Sequence, residues 1–331
     1  MKVNVYADVV PFAASSWVAE QVVIGLVRKG HDVRTVALEC EYRDAKPNAV
    51  FALTLGQPHI KALKVVVRPV VRLNEDLVKD AVVVTLWETD QLPVTHVAML
   101  NLAKRVVVPC RWLAHVFVRS GVKRPVVVVP YGVAPEFSTT TQTFPKQTVF
   151  LAAGRSAHGR DRKGLDVVIG AFLLAFPNEK DVVLQVKTHD DCPLPEICSS
   201  RIQIITSWFD EKRMVQWYQQ GLAFVSASRG EGWGLHCHEA MACGKPLISA
   251  NFGGVTEFFS PPAGYVVKHH LVPSDMGGRW AELSINSLVE AMRFVYENPV
   301  HAFVIGLTAA KSVEHLTLEA MQSNHAKAIL L

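Results

Sequence analysis

The chain has 331 residues, half of them hydrophobic and 19% charged, with a formal net charge of +4. That length and apolar content suit two domains of about 150 residues, each able to bury a sizeable core; so mild a charge gives no argument for a nucleic-acid partner. Six cysteines, at positions 40, 110, 192, 198, 237 and 243, form no CxxC pair, which argues against a zinc ribbon or a small disulfide scaffold and suits reduced thiols in a cytoplasmic enzyme.

The opening "MKVNVYADVVPF" reads as an alternating strand and lacks the apolar run of a signal peptide. No stretch approaches the roughly 18 uninterrupted apolar residues of a membrane span. Valine-rich runs then recur: "HDVRTVAL", "NAVFALT", "LKVVVRPV", "AVVVTLW", "RVVVPC" and "PVVVVP". Near-continuous β-branched runs of this length predict strands buried on both faces of a parallel sheet. Between the opening strand and "HDVRTVAL" lies "SSWVAEQVVIGLVRKG", a predicted helix with serines to cap it and Gly30 to end it.

Residues 138–147, "STTTQTFPKQ", read as a linker. The pattern then restarts with strands at "TVFLAAG", "DVVLQVK", "RIQIIT", "LAFVSAS" and "PLISA", and helices over "GLDVVIGAFLLAFP", "EKRMVQWYQQG" and "LHCHEAMACG". The last thirty residues read as helical throughout. The fold class is therefore α/β, with two Rossmann-like domains in series. In such sheets ligands sit beyond the carboxyl ends of the strands, so the loops after "KVNVYADVV", "AVVVTLW", "TVFLAAG" and "LAFVSAS" are where chemistry belongs.

Neither GxGxxG nor GxxxxGK[ST] is present, which weakens dehydrogenase and ATPase readings. "GEGWG" at 230–234 still joins a strand to a helix through a glycine-rich turn. Glycines let the backbone approach a ligand, and the N–H groups at a helix start favour an anion. Glu231 falls in the turn and Glu239 inside the helix. Carboxylates repel phosphate, so both suit hydroxyl groups. A ligand carrying phosphate and hydroxyls together is a nucleotide sugar, although the same residues also suit an ordinary helix with an acidic first turn. "GRSAHGRDRKGLD", residues 154–166, crowds Arg155, Arg160, Arg162 and Lys163 into a second strand-end loop. Such a loop can hold a diphosphate or lie solvated.

Together these residues resemble the retaining nucleotide-sugar glycosyltransferases of family 4, which have the GT-B fold. The resemblance lies in "EGWGLHCHEAMACGKPLIS", where two glutamates are separated by seven residues, with Trp233 in the family's aromatic slot. "GR…RKGLD", "VVVPYGVAPEF" and "NFGGVTEF" add to it, over roughly residues 105–260. It implies two Rossmann-like domains facing across a cleft. The acceptor-side domain spans 1–140, completed by a C-terminal helix at about 312–331, and the donor domain spans 145–311. It further implies that Arg155 and Lys163 hold the donor diphosphate; the basic loop between them is longer than in the family, which lets Arg160 or Arg162 share that role. Glu231 contacts the transferred sugar, Glu239 the ribose, and the backbone of Gly232, Trp233, Gly234 and Leu235 the donor oxygens. Ser207 and Trp208 lie near the base.

The chain departs from the family in "PFAASSW", where a glycine pair is usual; Ser15 and Ser16 stand at that place. The family's N-domain histidine is also missing. Either Glu88, Thr89 or Asp90 fills its place or nothing does, and His96 reads as a structural or surface histidine.

His236, Cys237 and His238 suggest zinc, but residues two apart on a helix point in different directions. Trp112, Trp208, Trp217 and Trp280 read as core or interface aromatics. Cys192 and Cys198 flank a loop and would pair only in an oxidising setting. The resulting expectation is a soluble, metal-independent hexosyltransferase with no cofactor beyond its co-substrate. Its partners are a nucleotide sugar (GDP-mannose first, UDP-glucose second) and a carbohydrate or glycoconjugate acceptor. The oligomeric state is open, a homodimer included. The rival readings are a non-catalytic nucleotide-sugar binder and a GT-B epimerase or phosphorylase relative.

Overall fold

A computed structural model describes residues 1–10, 13–40, 49–138, 144–145, 147–155, 162–189, 194 and 199–331. The first elements in chain order are β1 (Lys2–Val9), α1 (Ala14–Arg28), β2 (Asp32–Cys40), α2 (Ala49–Thr54), β3 (Leu63–Val67) and α3 (Glu75–Val78). β4 (Val82–Val84), α4 (Val94–Leu100), β5 (Arg105–Val108), α5 (Arg111–Ser120) and β6 (Val126–Val128) follow. The second series runs β7 (Thr148–Ala153), α6 (Leu165–Ala175), β8 (Val182–Lys187), β9 (Ile202–Ile205), α7 (Glu211–Gln220), β10 (Ala223–Ser226), α8 (Leu235–Ala242) and β11 (Leu247–Ser249). It closes with β12 (Gly264–Val266), β13 (His269–Pro273), β14 (Arg279–Leu283), α9 (Ile285–Glu297), α10 (Pro299–Val313) and α11 (Leu318–Leu330).

The chain divides into two compact units. The first is Met1–Gly132 with Asp275–Gly278 and Leu316–Leu331; the second is Val133–Ser274 with Arg279–His315. Each is built on a six-stranded sheet, ordered β2-β1-β3-β4-β5-β6 in the first and β12-β11-β10-β7-β8-β9 in the second. All neighbours in both sheets are parallel. Strands covered by helices on both faces have no polar side, which is why β4 is valine at every position and buried throughout. In the second unit, α6 and α9 cover the sheet through Phe172, Phe176, Leu288 and Met292.

The strand order reverses between β1 and β3 in the first sheet and between β7 and β10 in the second. Such switch points open a crevice at the carboxyl ends of the strands. In the first unit that place holds an ion network. Asp8 pairs with Arg68, whose Nε donates to Oδ1 at 2.7 Å, and with Arg72 at 3.1 Å. Glu39 bridges the same two guanidinium groups at 2.9 and 3.2 Å. Asp8 and Arg68 are both buried. Asp8→Ala should therefore leave buried Arg68 with only the exposed Glu39 as an ion-pair partner and cost about 1–3 kcal/mol. A urea unfolding midpoint equal to that of the parent would contradict this role.

Two elements differ from expectation. "NAVFALT" is not a strand: residues 49–54 form α2. Phe51 and Thr54 are buried while Leu53 is 80% exposed, a helical spacing, and Thr54 Oγ1 donates to Phe51 O at 2.8 Å. The C-terminal helix is also interrupted. α10 stops at Val313 and α11 restarts at Leu318, with Thr317 Oγ1 accepting from Ala320 N at 3.1 Å. The break coincides with a close backbone crossing, since a Cβ on Gly132 would lie 2.2 Å from Thr317 O. α11 packs on α1 within the first unit, where Gln322 Nε2 donates to Gln21 Oε1 at 2.8 Å and Gly25 leaves room for the Gln322 carbonyl. Among the described residues no helix is long and apolar enough to cross a membrane.

Candidate functional site

The second unit's switch point brings together the two loops singled out in the sequence. The segment leading into α6 and the segment leaving β10 are tied by their backbones. Arg229 N donates to Arg162 O at 2.8 Å, and Arg162 Nη1 donates to Gly230 O at 2.5 Å. Two glycines make the approach possible. Gly164 adopts φ +62°, and a Cβ there would lie 2.3 Å from Ala227 O; a Cβ on Gly154 would strike the Lys163 side chain. Lys163 is thus laid over the end of β7, facing the loop after β10.

Its Nζ lies 2.5 Å from Glu231 Oε1, although the two residues are 68 positions apart in sequence. Arg162 Nη1 is 3.6 Å from the other carboxylate oxygen, and His236 Nε2 is 3.8 Å from the first. Glu231 is buried, which by itself would push its carboxyl up. The charges of Lys163 and Arg162 outweigh that burial and hold the group well below the usual carboxylate range. Burial, with Lys163 beside it, drives His236 down to about 3, so its imidazole is neutral near pH 7.

Glu239 sits one face further along α8. Tyr218 Oη donates to its Oε2 at 2.9 Å. Burial raises the Glu239 carboxyl to about 7, with the Tyr218 hydrogen bond opposing and Glu211 adding to the rise. The two glutamates therefore differ in state at neutral pH: Glu231 is a fixed anion, and Glu239 is poised to titrate.

The turn between them is shaped from below. Gly234 begins α8 at φ +90°. Gly254 N donates to Glu231 O at 2.7 Å, and a Cβ on Gly254 would lie 2.3 Å from Gly232 O. The "NFGGVTEF" segment thus supports the 231–233 backbone. Trp233 is buried, with Nε1 donating to His238 Nδ1 at 3.3 Å and its ring 5.0 Å from Phe258, so its side chain belongs to the core. Leu235 is half-buried in the first turn of α8.

The histidines and cysteine of this stretch face different surroundings. His236 turns toward Glu231, His238 toward Trp233 and Phe258, and Cys237 is buried, its thiol pushed to about 12 chiefly by that burial. Among the described residues no group of three His, Cys, Asp or Glu side chains is placed to hold a metal ion.

The remaining candidates scatter. Arg155 is exposed directly after Gly154 at the end of β7. Arg160, like Cys192 and Cys198, lies outside the described residues. Ser207 and Trp208 follow β9, two strands from β7, and are exposed; Trp208, at 53%, is not a core aromatic, whereas Trp217 and Trp280 are buried. In the first unit Ser15 is half-buried, and the Ser16 hydroxyl closes the β1–α1 turn by donating to Asp8 O and accepting from Val10 N. Glu88 is half-buried, Asp90 is buried with its carbonyl accepting from Arg119, and Thr89 Oγ1 accepts from Trp87 Nε1 at 2.6 Å. The His96 ring lies 5.3 Å from that of Trp87, tilted by 46°. Sequence reasoning missed Tyr218, which had no signal beyond a place in an amphipathic helix.

Residues 147–298 match the family model described as Glycosyl transferases group 1. A 101-residue stretch is 30% identical to a D-inositol 3-phosphate glycosyltransferase from Acidothermus cellulolyticus; the aligned stretch takes in 28% of this chain and 22% of the relative. Among solved structures, sucrose-phosphate synthase from Thermosynechococcus elongatus superposes with a TM-score of 0.70 at 15% identity, covering 99% of this chain and 98% of that one. HepE from Anabaena, in complex with UDP-glucose, superposes with a TM-score of 0.70 at 12% identity over the same shares. Residues 147–298 are thus similar to the glycosyl transferases group 1 family, in a chain whose two parallel-sheet units have the GT-B fold.

Proposed function

We propose that the chain is a retaining glycosyltransferase that moves a hexose from a nucleoside-diphosphate sugar to a carbohydrate or glycoconjugate hydroxyl. The observation that carries the reading is the pairing of Lys163 with the buried Glu231, with Arg162 beside it at the switch point. The Glu231 carboxylate lies on Lys163 Nζ, where a diphosphate oxygen would also bind. A donor diphosphate brings more charge than one carboxylate, so it claims Lys163 and releases Glu231 to accept hydrogen bonds from the sugar hydroxyls. As the glycosidic bond breaks, negative charge builds on the departing diphosphate. Lys163, Arg155 and the N–H groups at the start of α8 then stabilise it without a metal. Retention follows from attack on the leaving-group face, with the diphosphate taking the acceptor's proton.

GDP-mannose is the first donor proposed and UDP-glucose the second. The complex of HepE with UDP-glucose is a reason to keep the latter in any panel. Calorimetry against GDP-mannose, UDP-glucose and UDP-N-acetylglucosamine, each with and without chelator, tests the reading. One donor should bind well above the others, equally in both conditions. Binding of none, or binding abolished by chelator, would overturn it.

A further inference from the structure

The Glu239 carboxylate is held by a residue from another helix. Tyr218 is fully buried on α7, its ring held by Phe137 at 6.2 Å, Trp217 at 5.0 Å and Phe224 at 5.8 Å. That packing fixes the hydroxyl, which lies 2.9 Å from Glu239 Oε2 and 3.2 Å from His236 O. A phenol donates one proton, and the carboxylate is the stronger acceptor. Glu239 is on α8, and among the described residues no other side chain hydrogen-bonds its carboxylate.

We propose that Tyr218 is a positioning residue for nucleoside binding: its hydroxyl orients the Glu239 carboxylate and keeps it an acceptor for the ribose hydroxyls. The proposal rests on the reading that Glu239 holds the ribose. The geometry does two things. It pins one carboxylate oxygen so that the other is presented in a single orientation, and it donates to the charged form, which favours ionisation. The second effect matters because burial, with Glu211 on α7, pulls Glu239 toward protonation. Cys237 on α8 and Cys243 just after it also interact with its charge, but burial holds both thiols near 12, so they are neutral in the working range. Without the Tyr218 hydroxyl the Glu239 carboxyl rises further, and less of it is ionised at pH 7.

The test is isothermal calorimetry of GDP and UDP, and of their 2′,3′-dideoxy forms, on the parent, Tyr218→Phe, Glu239→Gln and Trp217→Phe between pH 6 and 9. Melting temperatures check that each variant folds. Tyr218→Phe should weaken binding of the better nucleotide about tenfold at pH 7, the scale of one hydrogen bond to a charged group. The deficit should shrink toward pH 9, where Glu239 ionises in both proteins, and it should be absent for the dideoxy form. Trp217→Phe, which loosens the same aromatic cluster and keeps the hydroxyl, should show no such pH dependence. A deficit that is constant with pH and equal for the dideoxy nucleotide would make Tyr218 merely structural and overturn the proposal. If Glu239→Gln weakens binding and Tyr218→Phe does not, the positioning role fails while the ribose role of Glu239 stands. If Glu239→Gln is itself without effect, the reading of Glu239 falls, and the positioning role with it.

Discussion

Lys163→Ala should lower sugar transfer about 10²- to 10³-fold in kcat, the range found when one preorganised donor to a developing anion is removed. The loss should appear mainly in kcat, because the charge Lys163 meets grows as the glycosidic bond breaks. Its partner predicts the opposite sign for binding. In the free protein Glu231 competes with a diphosphate for the same ammonium group. Glu231→Gln removes that competitor, so GDP or UDP should bind roughly threefold to tenfold more tightly, the scale of one charge at short range under partial screening. Sugar transfer should fall all the same, since the amide cannot accept from the sugar hydroxyls as a carboxylate does. Tighter nucleotide binding with slower transfer separates this pair from a merely structural salt bridge. A structural pair would lose stability in both variants and gain affinity in neither.

Gly254→Ala should destabilise the second unit by at least about 2 kcal/mol, a melting shift of about 5 °C or more. The new methyl would press on the Gly232 carbonyl and the Trp233 backbone, which are main chain and cannot rotate away. Nucleotide affinity should fall with stability, because the same backbone carries Glu231 and leads into α8. Gly170→Ala is the contrast. That glycine lies inside α6 with open space where a Cβ would go, so alanine should be neutral or stabilise by up to about 1 kcal/mol. Thermal melts of the two variants check both predictions, and equal melting points would contradict the packing argument.

The buried valine runs were legible as strands because a parallel sheet covered on both faces imposes one composition on every position. The same rule failed at 49–54. There a short apolar segment carries no period long enough to separate helix from strand, and its single face is set by packing of Phe51 and Thr54. Residues 264–298 went unread for a related reason. β13 and β14 form a hairpin in which β14 buries Trp280, Ala281 and Leu283, while the "HHLVP" strand has no buried face to imprint alternation.

At the site, Glu231, Glu239 and the basic loop were each legible, since glycine-rich strand-end turns follow from local chemistry. The contact between Lys163 and Glu231 was not. It depends on β7 and β10 lying side by side, a long-range pairing that no local pattern states. Nor was the difference in charge state between the two glutamates legible. It arises because Lys163 and Arg162 converge on one of them, while Tyr218 and burial act on the other.

The most direct test is phosphorus NMR of GDP or UDP titrated with the parent chain and with Lys163→Ala. Bound at Lys163, both phosphorus resonances should shift and broaden with the parent and return close to their free positions with the variant. Identical shifts with both proteins would place the diphosphate elsewhere and contradict the account.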